Sequence, residues 1–423
     1  MKKWVKQVIT IGGAILALPG LLLMVVSAPF MLIMALDSDA YTAGIGLITL
    51  TLVLLSLGAG GLTAWHGLRS LRRKPSGSLR LPPVWQMTGI FTLLVTLGWF
   101  TYDNQFLGAI LFPVLLWGAA LLPPLLAVSW FAGADSGPSR RRGLVALAGG
   151  ATVSVVIAVA LEILFPAIVM ALVFDLADLV LGGIEALFET LASAEVAAAI
   201  TSPAFIFIMV QVALIAPLAE ELAKPLVTLP VIGRLSKRET FLVGAMAGAG
   251  FAAVENVLYA GFGVELWAGI LLVRTVGGAI HPLGAGLTAL GWRAVLRGEA
   301  GAGVIWLKYF LSAVGLHALW NGGSLLVITL GGAQFFGDLP PEVDVLGLSA
   351  AGTVLALLLI LGLAALWLGR STAAQLAEKP DGPPEESSSE SFRLSDRGAA
   401  IWALACLAAI VPAGIAGLQL LMG

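Results

Sequence analysis

The chain has 423 residues, 59 % of them hydrophobic and only 11 % charged, less than half of the roughly 25 % charged share of a soluble domain. That excludes a water-soluble globule, and with about 20 apolar residues needed per spanning helix the composition suits a polytopic membrane protein. A net charge of -2 is unremarkable and says nothing about nucleic acid, and the single cysteine, Cys406, allows neither an internal disulfide nor a Cys-based zinc cluster.

In chain order, Lys2, Lys3 and Lys6 precede an uncharged run over 7–36. The run is too long for a cleaved signal, and Pro29 would follow a cut after Ala28, so it reads as an uncleaved first span. Further apolar runs cover 43–64, 86–101, 107–131, 143–173, 203–230, 240–262, 266–292, 303–330, 346–369 and 399–421. The expected fold is therefore an all-α transmembrane bundle of about 11 spans. Of the 23 Lys and Arg residues, 21 fall on one side of the bundle that these runs imply, at the N-terminus or in every second loop, such as the one holding Arg69, Arg72, Arg73, Lys74 and Arg80. Opposite loops carry Asp and Glu only. Basic residues mark the cytoplasmic side, so the N-terminus is expected inside and the C-terminus outside.

Residues 174–200 place Leu181, Ile184, Leu187, Phe188 and Leu191 at helical spacing opposite Glu185 and Glu189, as in an amphipathic helix on the outer face. Polar, acidic, Pro/Ser-rich residues 371–398 read as a disordered cytoplasmic linker. The expected organisation is a four-span accessory region over 1–142, span five with the outer helix over 143–202, a four-helix catalytic core over 203–330, and two C-terminal spans with the linker over 331–423.

Lys224 and Arg274 are the two basic residues outside the cytoplasmic set, and both lie inside predicted spans with Glu162, Glu220, Glu221, Glu255, His281 and His317. A charge at mid-membrane costs about 2.5 to 3.5 kcal/mol on insertion scales and usually marks a functional path. Seven of these eight residues fall between 220 and 317, on four consecutive helices. Spacing puts Glu220 one turn before Lys224, suited to an i,i+4 ion pair, with Glu221 pointing away. Arg274 and His281, seven residues apart, share a face, as do His317 and Asn321. A rise of about 1.5 Å per residue puts Glu220, His281, His317 and Glu255 at depths of about 15, 17, 21 and 23 Å, close enough to meet in one layer.

Carboxylates, imidazoles and the carboxamides of Asn256 and Asn321 are the parts for activating water and stabilising an oxyanion. One Glu with two His, such as Glu255 with His281 and His317, is alternatively the three-ligand set of a catalytic zinc site. The HExxH pattern that would settle the matter for metal is absent.

Glu220-Glu221-x-x-Lys224, Phe251-x-x-x-Glu255-Asn256, the isolated His281 and His317-x-x-x-Asn321 resemble the four motifs of the PrsW family of intramembrane proteases, relatives of the prenyl-protein (CAAX) endopeptidases. The resemblance covers about 203–330. In the CAAX branch an Arg follows the second Glu by four residues and a His follows the Phe by four; here Pro225 and Glu255 stand there, which favours the PrsW branch. The resemblance implies hydrolysis of a peptide bond in a membrane protein, as the founding member cuts a single-pass anti-sigma factor. It also implies a bacterial cytoplasmic membrane. The site would be Glu220, Glu221, Glu255, His281, His317 and Asn321, supported by Lys224, Asn256 and Arg274, with zinc as the one candidate cofactor. Competing readings are a proton-linked transporter or channel and a non-catalytic scaffold, since Glu and His inside membranes also relay protons.

Overall fold

A computed structural model describes residues 40–102, 104–133, 137–173, 203–262, 266–335 and 348–378, with 344–345 and, at the ends, 3–4, 6–14, 33, 397–398 and 401–402. The expected spans over 7–36 and 399–421, the outer helix over 174–200 and the linker from 379 lie largely or wholly outside the described residues.

The described chain is helical but for a two-residue antiparallel ladder, β1 (Asp344–Val345) with β2 (Leu348–Ser349). The helices are α1 (Ala40–Leu71), α2 (Val84–Tyr102), α3 (Gln105–Ala132), α4 (Arg140–Gly149) and α5 (Val155–Val173). After them come α6 (Pro203–Val210), α7 (Ala216–Ala223), α8 (Leu229–Ile232), α9 (Lys237–Phe262), α10 (Trp267–Val276), α11 (Ile280–Arg297), α12 (Ala302–Phe335) and α13 (Ala350–Glu378). Among the described residues nine stretches are long and apolar enough to cross a membrane, and they coincide with nine of the eleven expected runs. At the tenth run the helix continues through Glu378, so 371–378 belong to α13 rather than to a disordered linker.

Helix α9 is the axis of the bundle: 89 % of its span is buried against 17 % for α2 and α13. Its small residues allow this. A Cβ on Gly250 would stand 1.9 Å from the Leu147 carbonyl oxygen of α4, and one on Gly248 2.3 Å from that of His281. Backbones therefore meet where glycine removes the side chain, and packing replaces the hydrophobic drive that lipid does not supply. The outer helices turn Trp85, Trp99, Phe100, Leu357, Ile360 and Trp367 outward, the composition of a lipid-facing surface.

The basic loops gather at one end. Arg141 Nη2 donates to the Lys74 carbonyl at 2.7 Å, Arg142 pairs with Glu239 at 2.8 Å, and Arg370 Nη1 donates to the Phe131 carbonyl at 3.4 Å. Lys237 lies 3.9 Å from Glu299 of the next basic loop.

Candidate active site

Four spans build the site, and two of them, 203–232 and 267–297, are irregular where they do so. Between α6 and α7 the chain makes a π-helical turn over Gln211–Ile215. There the Ala216 N–H bonds to the Gln211 carbonyl, and Pro217 has no N–H, so the Val212 carbonyl loses both of its intrahelical donors. Asn321 Nδ2 of α12 supplies one at 3.1 Å. Likewise Pro124 leaves the Ala120 carbonyl of α3 without its usual donor, and Asn256 Nδ2 of α9 fills it at 2.9 Å. After α7, Pro225 opens a 3₁₀ turn in which Thr228 N bonds back to the Pro225 carbonyl; the Lys224 carbonyl then accepts from Ser154 Oγ at 3.1 Å. Buried carbonyls must be paired, so these side chains fix where the helix carrying Glu220, Glu221 and Lys224 stands.

The side chains converge on the Lys224 ammonium, which is out of solvent. Its Nζ lies 2.6 Å from Glu221 Oε1, 3.0 Å from Glu220 Oε2, 2.8 Å from His281 Nδ1 and 3.4 Å from His317 Nδ1, above the Phe251 ring at 4.6 Å. The i,i+4 pair with Glu220 is present, but Glu221, expected to point away, is the closer partner. The 26 residues of α9 carry Glu255, and Arg274 Nη2 meets its Oε2 at 2.9 Å. Arg274 Nε also donates to Asn256 Oδ1.

Each imidazole is held by a carboxylate through one nitrogen and presents the other to Glu220. His317 Nδ1 lies 3.0 Å from Glu221 Oε1 and His281 Nε2 2.9 Å from Glu255 Oε2. The opposite nitrogens, His317 Nε2 and His281 Nδ1, lie 3.7 and 3.8 Å from Glu220 Oε2. The two rings meet edge to face with centroids 4.6 Å apart. Carboxylates behind histidines fix the tautomer and orient the ring, the usual arrangement behind a metal-binding imidazole.

Glu220, His281 and His317 each offer a ligand atom, all within 4.8 Å of one another and buried. Bonds of about 2.0–2.1 Å to tetrahedral zinc put ligand atoms about 3.3 Å apart, and the two histidine distances to Glu220, 3.7 and 3.8 Å, exceed that modestly. His317 Nε2 makes no hydrogen bond, as expected of an atom reserved for another partner, while Glu220 Oε2 has the Lys224 ammonium at 3.0 Å. The donor set fits a metal, with Lys224 as the cation that shares Glu220 Oε2 and the His281 Nδ1 lone pair. The structure gathers Glu220 with the two histidines where the sequence suggested Glu255, which is taken up by Arg274 and His281. Asn321 and Asn256, expected as oxyanion donors, spend an amide N–H on broken helix backbone. Ser154 was missed, since nothing in a sequence marks which serine faces a freed carbonyl. Gly284 has a plain reason: a Cβ there would stand 2.5 Å from Glu221 Oε2.

A family model described as PrsW family intramembrane metalloprotease matches residues 138–358, a wider stretch than the four motifs cover. No curated protein and no solved structure matches the chain.

Proposed function

The chain belongs to the PrsW family of intramembrane metalloproteases, and from that premise we propose that Glu220, Glu221, Glu255, His281 and His317 form the centre at which it hydrolyses a peptide bond. The observation that carries the reading is the buried convergence of Glu220, His281 and His317 from three spans. Family membership makes the chain a peptidase, which sets the transporter and scaffold readings aside.

A zinc ion held by Glu220, His281 and His317 would polarise the scissile carbonyl and lower the pKa of a bound water. The chain's own groups do the rest. Glu221 keeps His317 Nδ1 protonated, and Glu255, anchored by Arg274, does the same for His281 Nε2, so each ring turns a lone pair toward Glu220. Glu221 Oε2, buried and without a partner, is the base that takes the proton of the attacking water. Lys224 offsets the charge of the two carboxylates that it contacts. Asn321, acting through Val212, is a positioning residue.

The substrate is a membrane protein, with a single-pass anti-sigma-factor-like chain the form the resemblance suggests. The gathering of basic loops at one end supports an N-terminus inside and a C-terminus outside in a bacterial cytoplasmic membrane, with 1–142 as an accessory region. Full-length protein in liposomes should cut a labelled single-pass substrate. In preparations shown to be folded, Glu221→Gln and His317→Ala should lower kcat by about 10²- to 10⁴-fold. Undiminished cleavage by either variant removes the assignment.

A further inference from the structure

A second cavity, of about 440 Å³, opens at the basic end of the bundle. Lys6, His66, Arg141, Arg142 and Arg234 stand around it, and among the described residues no acidic one lines it. Its deeper wall is apolar, with Val145, Val153, Val227 and Val231 from two spans, and Trp402 against the Leu226 carbonyl at 2.8 Å. One lining guanidinium is incompletely used: Arg141 Nη2 reaches the Lys74 carbonyl, but its Nε is buried with no hydrogen-bond partner. Arg142 pairs with Glu239 at 2.8 Å. Three arginines also stand in the first turn of α4, with no acidic residue among them, where the helix dipole disfavours cations and an anion would be stabilised twice over.

We propose that this cavity binds one anionic phospholipid, the phosphate lying between Lys6, Arg141, Arg142 and Arg234 and an acyl chain running along the valine wall. The geometry matches an amphiphile rather than a free anion, since cations occupy the rim while the interior is apolar, and basic pockets between spans at this membrane face suit acidic headgroups. The cavity wall over 227–235 follows shortly after Lys224, so the bound lipid braces the break after α7. The site stands independently of the catalytic reading.

The test is native mass spectrometry of the full-length chain, washed in detergent and offered phosphatidylglycerol, phosphatidylcholine or inorganic phosphate. One phosphatidylglycerol should be retained in preference to phosphatidylcholine, and inorganic phosphate should not displace it. Arg141→Ala should weaken retention by about fivefold, as each basic contact near a membrane surface contributes. Arg142→Gln, at the exposed rim, should do the same if Arg141→Ala does not fold, while the exposed control Lys308→Ala should change nothing. Equal retention of both lipids, displacement by phosphate alone, or unaltered binding in the arginine variants overturns the proposal.

Discussion

At the scale of single residues the account turns on Lys224. Two buried carboxylates contact it directly, and removing one partner of a buried ion pair typically costs about 3–5 kcal/mol. Lys224→Met should therefore lose stability of that order in metal-free protein. In zinc-loaded protein the loss should be smaller, because a divalent cation neutralises the same carboxylates; chemical unfolding in detergent with and without zinc reads the difference. Equal losses would mean that no metal shares the Lys224 site. The identities of the site residues were legible because charge in a span is costly enough to stand out. Their pairing was not, since Glu221 rather than Glu220 is the nearer to Lys224 only through side-chain rotation and the approach of His317 from another helix. Asn321→Ala leaves a buried carbonyl unpaired, costing about 1–3 kcal/mol, and should lower kcat far more than it raises KM, in keeping with a group that touches helix backbone and not substrate.

Whole elements were easier to read than their irregularities. Length and hydropathy located the spans, but the π turn before α7 and the 3₁₀ break at Gly277–Ala279 between α10 and α11 depend on tertiary contacts. Arg274 and His281 consequently reach Glu255 across a broken helix rather than along one uninterrupted face. Glycine marks the close approaches and supplies a graded test. Gly250→Ala, facing the Leu147 carbonyl, should destabilise by about 1–3 kcal/mol or more through overpacking. Gly284→Ala should disturb Glu221 and reduce cleavage with a smaller loss of stability, whereas Gly269→Ala, with open space around it, should be neutral. Thermal unfolding and cleavage rates on the three variants check the order. Intact cleavage in Gly284→Ala would show that the Glu221 position is not critical.

For the whole molecule, a bundle with its most buried helix at the centre and its basic loops at one end predicts a fixed orientation. Reporter fusions after Lys74 and after Gly298 should be active only on the cytoplasmic side, and one after Asn104 only on the outside. The reverse pattern would invert the bundle and place the basic cavity in the other leaflet. The central claim, that three spans deliver Glu220, His281 and His317 to one metal, is tested most directly by metal analysis and X-ray absorption on the purified full chain. One zinc per chain with N/O ligands at about 2.0–2.1 Å, lost in Glu220→Gln, His281→Ala and His317→Ala variants that stay folded, is the predicted result. Active protein without metal, or metal retained in all three variants, would contradict it.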